Sequence, residues 1–154
     1  MSAAADRRRV LGLDPGTKRI GVAVGVSGVA GPLTVLQRSR SRDDDLRRIA
    51  ALVVEEEAEL VVIGLPIGLD GREGPAARAA RSLAAALARF TDVPIVLHDE
   101  RLTTVTADRV LLDAGLRAPE RRQVVDKVAA TVMLQSYLDG HAPDGHAPDQ
   151  GGAP

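Results

Sequence analysis

The stretch VLGLDPGTKRIGVAVGV, residues 10–26, decides how this chain begins to fold. An apolar run ends at Asp14, Gly16 allows a tight turn, and a β-branched run then resumes. This pattern predicts two strands, over residues 10–14 and 20–26. Because an acid stands at the mouth of the turn and two cations follow it, the stretch is typical either of a phosphate-handling site or of a simple hairpin turn.

Downstream of this stretch the pattern changes from short strands to alternating helices and strands. Ser41, with Asp44 three residues later, resembles a capping box at the start of a helix. Further elements are predicted as strands over 33–36, 60–65 and 95–97, a Gly-rich loop over 66–74, and helices over 76–90, 103–114 and 126–138. The resulting order predicts an α/β protein with a mixed central sheet of five strands, three antiparallel and then parallel, with helices on both faces. This is the order of the RNase H-like fold.

The apolar spacing also predicts which side of each helix is buried. The residues predicted to face the core are Ala76, Ala80, Leu83, Leu87 and Phe90 for helix 76–90, and Val125, Val128, Ala129 and Val132 for the last helix.

Composition limits the class of protein. Of 154 residues, 45% are hydrophobic and 27% charged, which is ordinary for one soluble globular domain. The aromatic residues are Phe90 and Tyr137, which disfavours a protein that stacks bases on aromatic platforms. With no cysteine, no secretory leader and no apolar run near the roughly 20 residues that span a bilayer, we expect a cytoplasmic protein without a membrane partner. We expect one folded domain over residues 1–138 and a disordered tail over 139–154, where GHAPD occurs twice.

The net charge of −1 does not indicate nucleic acid, but the charges are unevenly distributed. Residues 1–48 carry ten lysines and arginines against five aspartates, and a second basic cluster lies over residues 117–127. For any one arginine, a solvated surface position is the simpler interpretation. Clustering near candidate catalytic acids favours contacts with phosphate.

Acidic side chains stand at the ends of the predicted strands. Asp14 ends the first strand, Asp99 and Glu100 end PIVLHDE, and Asp126 begins the last predicted helix. Functional groups collect at strand ends in open α/β sheets, so acids from separate segments are expected to converge. Converging carboxylates repel one another unless cations lie between them, and hard divalent ions suit this role. Two such ions about 4 Å apart stabilise both the attacking and the leaving oxygen in phosphodiester hydrolysis.

Each of these acids also has an ordinary structural interpretation. Asp14 suits an Asp-Pro-Gly turn, Asp126 the first turn of a helix, and Glu100 a surface pair with Arg101. His98 could move a proton or contact phosphate, but a single histidine at a strand end is more often structural.

Four segments together carry a resemblance to a known family. They are LGLDPGTKRIGVAV (11–24), VVIGLPIGLDGREG (61–74), DERLTTVTA (99–107) and VDKVAATVMLQSYLD (125–139). In this order they resemble the YqgF/RuvX family, RNase H-like proteins named as Holliday junction resolvases or pre-16S rRNA nucleases. The resemblance covers about residues 9–139.

The resemblance implies which residues form the site. The catalytic and metal-binding carboxylates it implies are Asp14, Glu100 and Asp126, with Mg²⁺ or Mn²⁺ bound as two ions. The substrate-binding residues it implies are Lys18, Arg19, Arg101, Thr103 and Thr104.

The predicted function is a divalent-metal-dependent endonuclease that processes the 5′ end of precursor 16S rRNA in ribosome biogenesis. Its partners would be nucleic acid and a ribosomal subunit. The alternative is a Holliday junction resolvase acting on four-way DNA, which needs a dimer, so monomer and homodimer both stay open. A non-catalytic nucleic-acid-binding or transcription-linked protein is a further alternative. An ATPase or sugar kinase is disfavoured because such enzymes need a second comparable domain to enclose the nucleotide.

Overall fold

The computed structural model describes residues 8–101 and 118–141, with side chains from residue 126 onward in the second range. Three sequence predictions fall outside these residues: the helix over 103–114, the threonines within it, and the tail beyond residue 141.

The described chain forms a five-stranded sheet with helices on both sides. Its strands are β1 (Arg9–Pro15), β2 (Arg19–Val26), β3 (Val29–Gln37), β4 (Leu60–Leu65) and β5 (Ile95–Asp99), and its helices are α1 (Arg42–Glu55), α2 (Pro75–Leu87) and α3 (Ala118–Gly140). The strand order is β3-β2-β1-β4-β5. The β3-β2 and β2-β1 pairs are antiparallel, and the β1-β4 and β4-β5 pairs are parallel. The predicted mixed sheet, three antiparallel strands followed by parallel ones, is confirmed.

Alternation along the strands divides the core into two layers. On one side, Leu11 and Leu13 of β1 pack with α1 and α2 residues such as Ile49 and Leu83. On the other side, Val10 packs with α3 residues such as Met133. We call these sides the α1/α2 face and the α3 face. The predicted placement of helices on both faces is confirmed.

The edge of the sheet at which β1, β4 and β5 end carries the candidate site, and we call it the carboxyl edge. The turn between β1 and β2 lies here, closed by a 2.8 Å hydrogen bond from the Gly16 N–H to the Arg19 carbonyl. The last residue of β3 also lies at this edge, because Gln37 pairs with Arg19.

Helix α3 rests directly on β2. A Cβ atom at Gly21 would lie 2.0 Å from the carbonyl oxygen of Asp126, a distance no side chain can occupy. Because Gly21 pairs in register with Asp14, this close approach places the Asp126 segment of α3 beside the end of β1.

The start predicted for α3 is wrong. The helix begins at Ala118, so Asp126 lies well inside it and is not a residue of its first turn. Pro119 is compatible with this earlier start, since proline is tolerated where backbone N–H groups have no intrahelical acceptor. The polar stretch RAPERRQV is thus partly helical, and the helix-dipole interpretation of Asp126 is excluded.

The predicted helix faces are correct only in part. In α2, Ala76 is exposed, and Phe90 lies beyond the last helical residue but packs, partly buried, against the core as predicted. The buried residues of α2 are Ala77, Ala80, Leu83, Ala86 and Leu87. In α3, Val128 and Val132 are only partly buried, and the side chain of Val125 lies outside the described residues. The buried residues of α3 are Ala129, Ala130, Met133, Leu134 and Tyr137. Small residues carry little hydrophobic signal, so the rotation of each helix is decided by its fit to the sheet.

Candidate active site

Asp14 enters the site from the central strand of the sheet. Alternation along β1 puts its side chain on the α3 face, because Leu11 and Leu13 belong to the core of the other face. Asp14 is partly buried, and its backbone is held by the β1-β2 ladder opposite Gly21. A rigid strand, and not a loose turn, therefore positions this carboxyl group.

Glu100 comes from the opposite side of β4. It directly follows β5, its backbone N–H donates to the Leu65 carbonyl at 3.1 Å, and the residue is only 7% exposed. Because β4 separates β1 from β5, the Glu100 side chain must pass over β4 to reach Asp14, across a span of about 10 Å. Gly64 makes this possible, since a Cβ atom at that position would lie 2.5 Å from the Glu100 Cδ and Oε2 atoms.

Asp14 and Glu100 form a hydrogen-bonded pair of carboxyl groups. Burial, followed by repulsion from Asp14 and the hydrogen bond to it, raises the pKa of Glu100 to about 9. Burial also raises the pKa of Asp14, the hydrogen bond from Glu100 lowers it, and the charge of Asp126 raises it. At neutral pH Glu100 therefore keeps its proton and donates it to the Asp14 carboxylate.

Asp126 lies next to this pair and is held by an arginine. The Arg19 Nε donates to Asp126 Oδ2 at 2.6 Å, and both side chains are about one-quarter exposed. Arg19 starts β2 and shares the α3 face with Gly21, on which the backbone of Asp126 rests. The ion pair and the close backbone contact thus hold this third carboxylate beside Asp14.

The donor set suits a hard divalent cation. Carboxylate oxygens are the protein ligands that Mg²⁺ and Mn²⁺ prefer, and two buried acids that share a proton can exchange it for a cation. Within residues 8–101 and 118–141, no group of three acidic, histidine or cysteine side chains is closed tightly enough to hold one ion. The structure brings Asp14 and Glu100 together and keeps Asp126 beside them, bound to Arg19.

The predicted substrate-binding residues have different surroundings. Lys18 is exposed in the β1-β2 turn. Arg101 binds the neighbouring carboxylate, with its Nε 2.7 Å and its Nη2 2.6 Å from Asp99 Oδ2. Thr103 and Thr104 lie outside the described residues.

His98, on β5, packs against helix α3. Its Nε2 lies 3.0 Å from the Ser136 Oγ, and its ring meets the edge of Tyr137 with the centroids 5.7 Å apart. Burial lowers the pKa of His98, helped by the charge of His141 and opposed by that of Asp99. These contacts fit the structural interpretation.

Two features of the site were not foreseen in the sequence. One is the Arg19–Asp126 ion pair, and the other is the role of Gly64 as the gap through which Glu100 reaches Asp14. Alternation along β1 and β4 predicts that Asp14 and Gly64 lie on the same face of the sheet. Only the tertiary structure shows which helix covers that face.

Comparisons with known proteins agree on a family and a fold. The family model described as "RuvX: Holliday junction resolvase" matches residues 8–140. A Myxococcus xanthus protein named "Putative pre-16S rRNA nuclease" is 47% identical over 137 residues, which is 88% of this chain and 90% of that protein. A protein of the same name from Mycobacterium sp. strain KMS is 48% identical over 149 residues, 95% of this chain and 88% of that one.

A solved structure, T. thermophilus RuvC in complex with Holliday junction substrate, superimposes with a TM-score of 0.57. It is 19% identical and the match covers 88% of this chain and 98% of that one. At this low identity the similarity shows the fold alone, and the predicted RNase H-like fold is confirmed. None of the helices in the described ranges is long and apolar enough to cross a membrane.

Proposed function

Since this chain belongs to the RuvX family, we propose that it is a divalent-metal-dependent endonuclease that hydrolyses phosphodiester bonds at the 5′ end of precursor 16S rRNA. The observation that supports this most directly is the Asp14–Glu100 pair at the carboxyl edge, in which a buried acid and a partly buried one share one proton. Two carboxyl groups held this close with little solvent around them cost stability, and a divalent cation would relieve the cost.

The residues of the site divide the work in this proposal. Asp14 and Glu100 hold the cation, and Asp126 completes the set of carboxylates. Arg19 positions Asp126, and exposed Lys18 contacts a phosphate of the substrate. A bound Mg²⁺ or Mn²⁺, in this proposal two ions, supplies positive charge that stabilises the phosphate oxygens in the transition state.

Four-way DNA is the second candidate substrate. The family model is described as a Holliday junction resolvase, whereas the relatives reported above carry a pre-16S rRNA nuclease name. A resolvase cuts two strands symmetrically and needs two copies of the site, whereas trimming an rRNA end needs one. An assembling ribosomal subunit is the setting in which we expect the rRNA to be cut.

The test uses the purified full chain with Mg²⁺ and two substrates, a 5′-extended precursor 16S rRNA fragment and a synthetic four-way DNA junction. We expect the rRNA fragment to be cut faster, and cutting to be lost in Asp14→Asn and Glu100→Gln. Asp92→Asn, which removes an exposed acid before β5, is the matched control and should cut normally.

Faster cutting of the junction by a protein of dimeric mass would favour the resolvase. Binding of either substrate without cutting, in Mg²⁺ and in Mn²⁺, would overturn the nuclease proposal and favour a non-catalytic binding protein.

A further inference from the structure

A second feature occupies the carboxyl edge, on the face opposite the acids. A cavity of about 370 Å³ opens between the end of β3, the start of α1 and the middle of α2. Its polar lining consists largely of Arg38, Arg40, Arg42, Thr17, Ser39 and Ser82. We call this the arginine pocket. It includes part of the basic excess noted in residues 1–48, which the candidate active site does not use.

The pocket is built onto the turn that follows Asp14. Thr17 lines it from within that turn, and the Arg38 backbone N–H donates to the Lys18 carbonyl at 2.8 Å. Across the pocket, the Arg42 Nη2 donates to the Ser82 Oγ at 2.9 Å, which ties α1 to α2. The pocket and the acidic pair are therefore connected by one short segment of chain.

The Arg38 side chain has a hydrogen-bond donor without an acceptor in the described residues. Its Nε is buried and has no hydrogen-bond partner among the residues that the structure describes. A buried guanidinium N–H without an acceptor is costly, so such a group calls for an explanation. Arg38 also lines the pocket, so an anion there would lie beside the charge of this guanidinium.

The positive charge of the pocket is not cancelled by its own acid. Asp45 lines the pocket, but its carboxylate is bound by Arg48 at 2.8 Å and by the Ser39 backbone N–H and hydroxyl at 3.0 and 2.8 Å. In the described ranges, the three pocket arginines form no ion pair with an acidic residue. Guanidinium groups bind phosphate through paired N–H donors, and phosphate is the anion that the substrate of the proposed nuclease carries.

We propose that the arginine pocket binds a non-scissile phosphate of the nucleic-acid substrate, so that one strand crosses the carboxyl edge from the pocket to the acidic pair. This inference rests on the proposed nuclease function and adds to it where the substrate lies. Binding at a fixed distance from the acids would set which phosphodiester bond reaches them.

The test measures binding separately from cutting. The full chain is titrated, without divalent ions, against a labelled single-stranded RNA oligonucleotide over a range of salt concentrations. Arg40→Gln/Arg42→Gln removes two pocket charges. Arg8→Gln/Arg89→Gln removes two exposed charges at the opposite edge of the sheet and is the matched control.

We expect the pocket variant to bind about tenfold more weakly at 0.1 M salt, and the slope of log K against log salt to fall by about 0.7, since the pocket binds one phosphate and each single-strand phosphate contact contributes about 0.7. The control variant should change neither quantity. Ser82→Ala removes the hydrogen bond to Arg42 but no charge, so its slope should match the wild type.

An equal loss in both double variants, or an unchanged slope in the pocket variant, would overturn the inference. Because Arg40 is exposed, Arg40→Gln alone serves if the double variant fails to fold, and its slope should also fall, by at most about 0.7. Titration with inorganic phosphate separates a free-anion site from a backbone contact: phosphate binding that is lost in the pocket variant, with an unchanged RNA slope, also overturns the inference. A wild-type protein that binds RNA but cuts nothing would overturn the proposed function alone.

Discussion

Two acids of nearly equal burial lie on opposite faces of the sheet: Asp45 is 6% exposed and Glu100 is 7% exposed. Burial alone would raise the pKa of Asp45, but hydrogen bonds from Arg48 and Ser39 outweigh it and lower that pKa. For Glu100, burial is the largest cause of the rise in pKa and the neighbouring Asp14 adds to it, so its pKa rises to about 9. Burial therefore does not distinguish a structural acid from a candidate catalytic one. The partners do: Asp45 is surrounded by donors, whereas Glu100 is placed against another acid.

The largest expected effect is on cutting. Glu100→Gln keeps the shape and the donor but cannot bind a cation as a carboxylate, so the cutting rate should fall about 1,000-fold, or about 4 kcal/mol in the barrier. Asp45→Asn should leave the rate per folded molecule within about twofold. Single-turnover rates with Mg²⁺ measure both. If Asp45→Asn removes cutting as strongly as Glu100→Gln, the proposed difference between the two acids is wrong.

The next largest effect is expected from a variant that disturbs the packing of Asp126 beside the acidic pair. In Gly21→Ala the new Cβ would overlap the Asp126 carbonyl oxygen, so α3 must move, and the free energy of unfolding should fall by about 3 kcal/mol. Gly31→Ala is the matched control, because a Cβ there would meet nothing within 4 Å. Chemical denaturation measures both variants. Equal stabilities would show that α3 does not rest on β2 as described.

The next prediction concerns the role of Arg19 beside the acidic residues. We describe it as a residue that positions Asp126, so Arg19→Gln should lower kcat about 30-fold with little change in KM. Lys18→Gln removes the same charge from the exposed turn and should raise KM, leaving kcat near its wild-type value. The split between kcat and KM decides the matter, because an Arg19 that served only to bind substrate would behave as Lys18 does.

The smallest effect is a pair of opposite pH dependences in the metal-free protein. Folded Glu100 binds a proton that the unfolded chain releases above its ordinary pKa of 4.5, so its stabilising contribution is complete below pH 4.5 and is lost as pH rises to about 9. The lowered pKa of Asp45 means that its contribution is present above pH 3.8 and is lost as pH falls through the folded pKa.

Thermal melts across this range distinguish the two acids. Glu100→Gln should raise Tm relative to the wild type at pH 8, by about 3 °C, and the gain should vanish near pH 4.5. Asp45→Asn should lower Tm at neutral pH, and this loss should shrink below pH 3.8. Parallel pH profiles for the two variants would contradict the assignment.

Much of the fold could be predicted from local patterns. Strand alternation, the glycine turn after Asp14 and the strand-helix order are properties of neighbouring residues, and they were sufficient for the mixed sheet and for helices on both faces. The three candidate acids could be located as well, because each lies in a recognisable segment. The start of α3 could not, and the buried sides of α2 and α3 could be predicted only in part, since the alanines on these helices mark neither the buried nor the exposed side.

What only the tertiary structure decided is which side chains face each other. Arg19 and Asp126 are 107 residues apart in the sequence, and they meet because α3 rests on the bare backbone of Gly21. Glu100 reaches Asp14 across a strand that carries no side chain at Gly64. The amino-acid sequence alone therefore determined which groups are available for chemistry, since that depends on residue type and local pattern. Their protonation was decided by long-range packing, because a pKa depends on the charges and the solvent that surround the folded group.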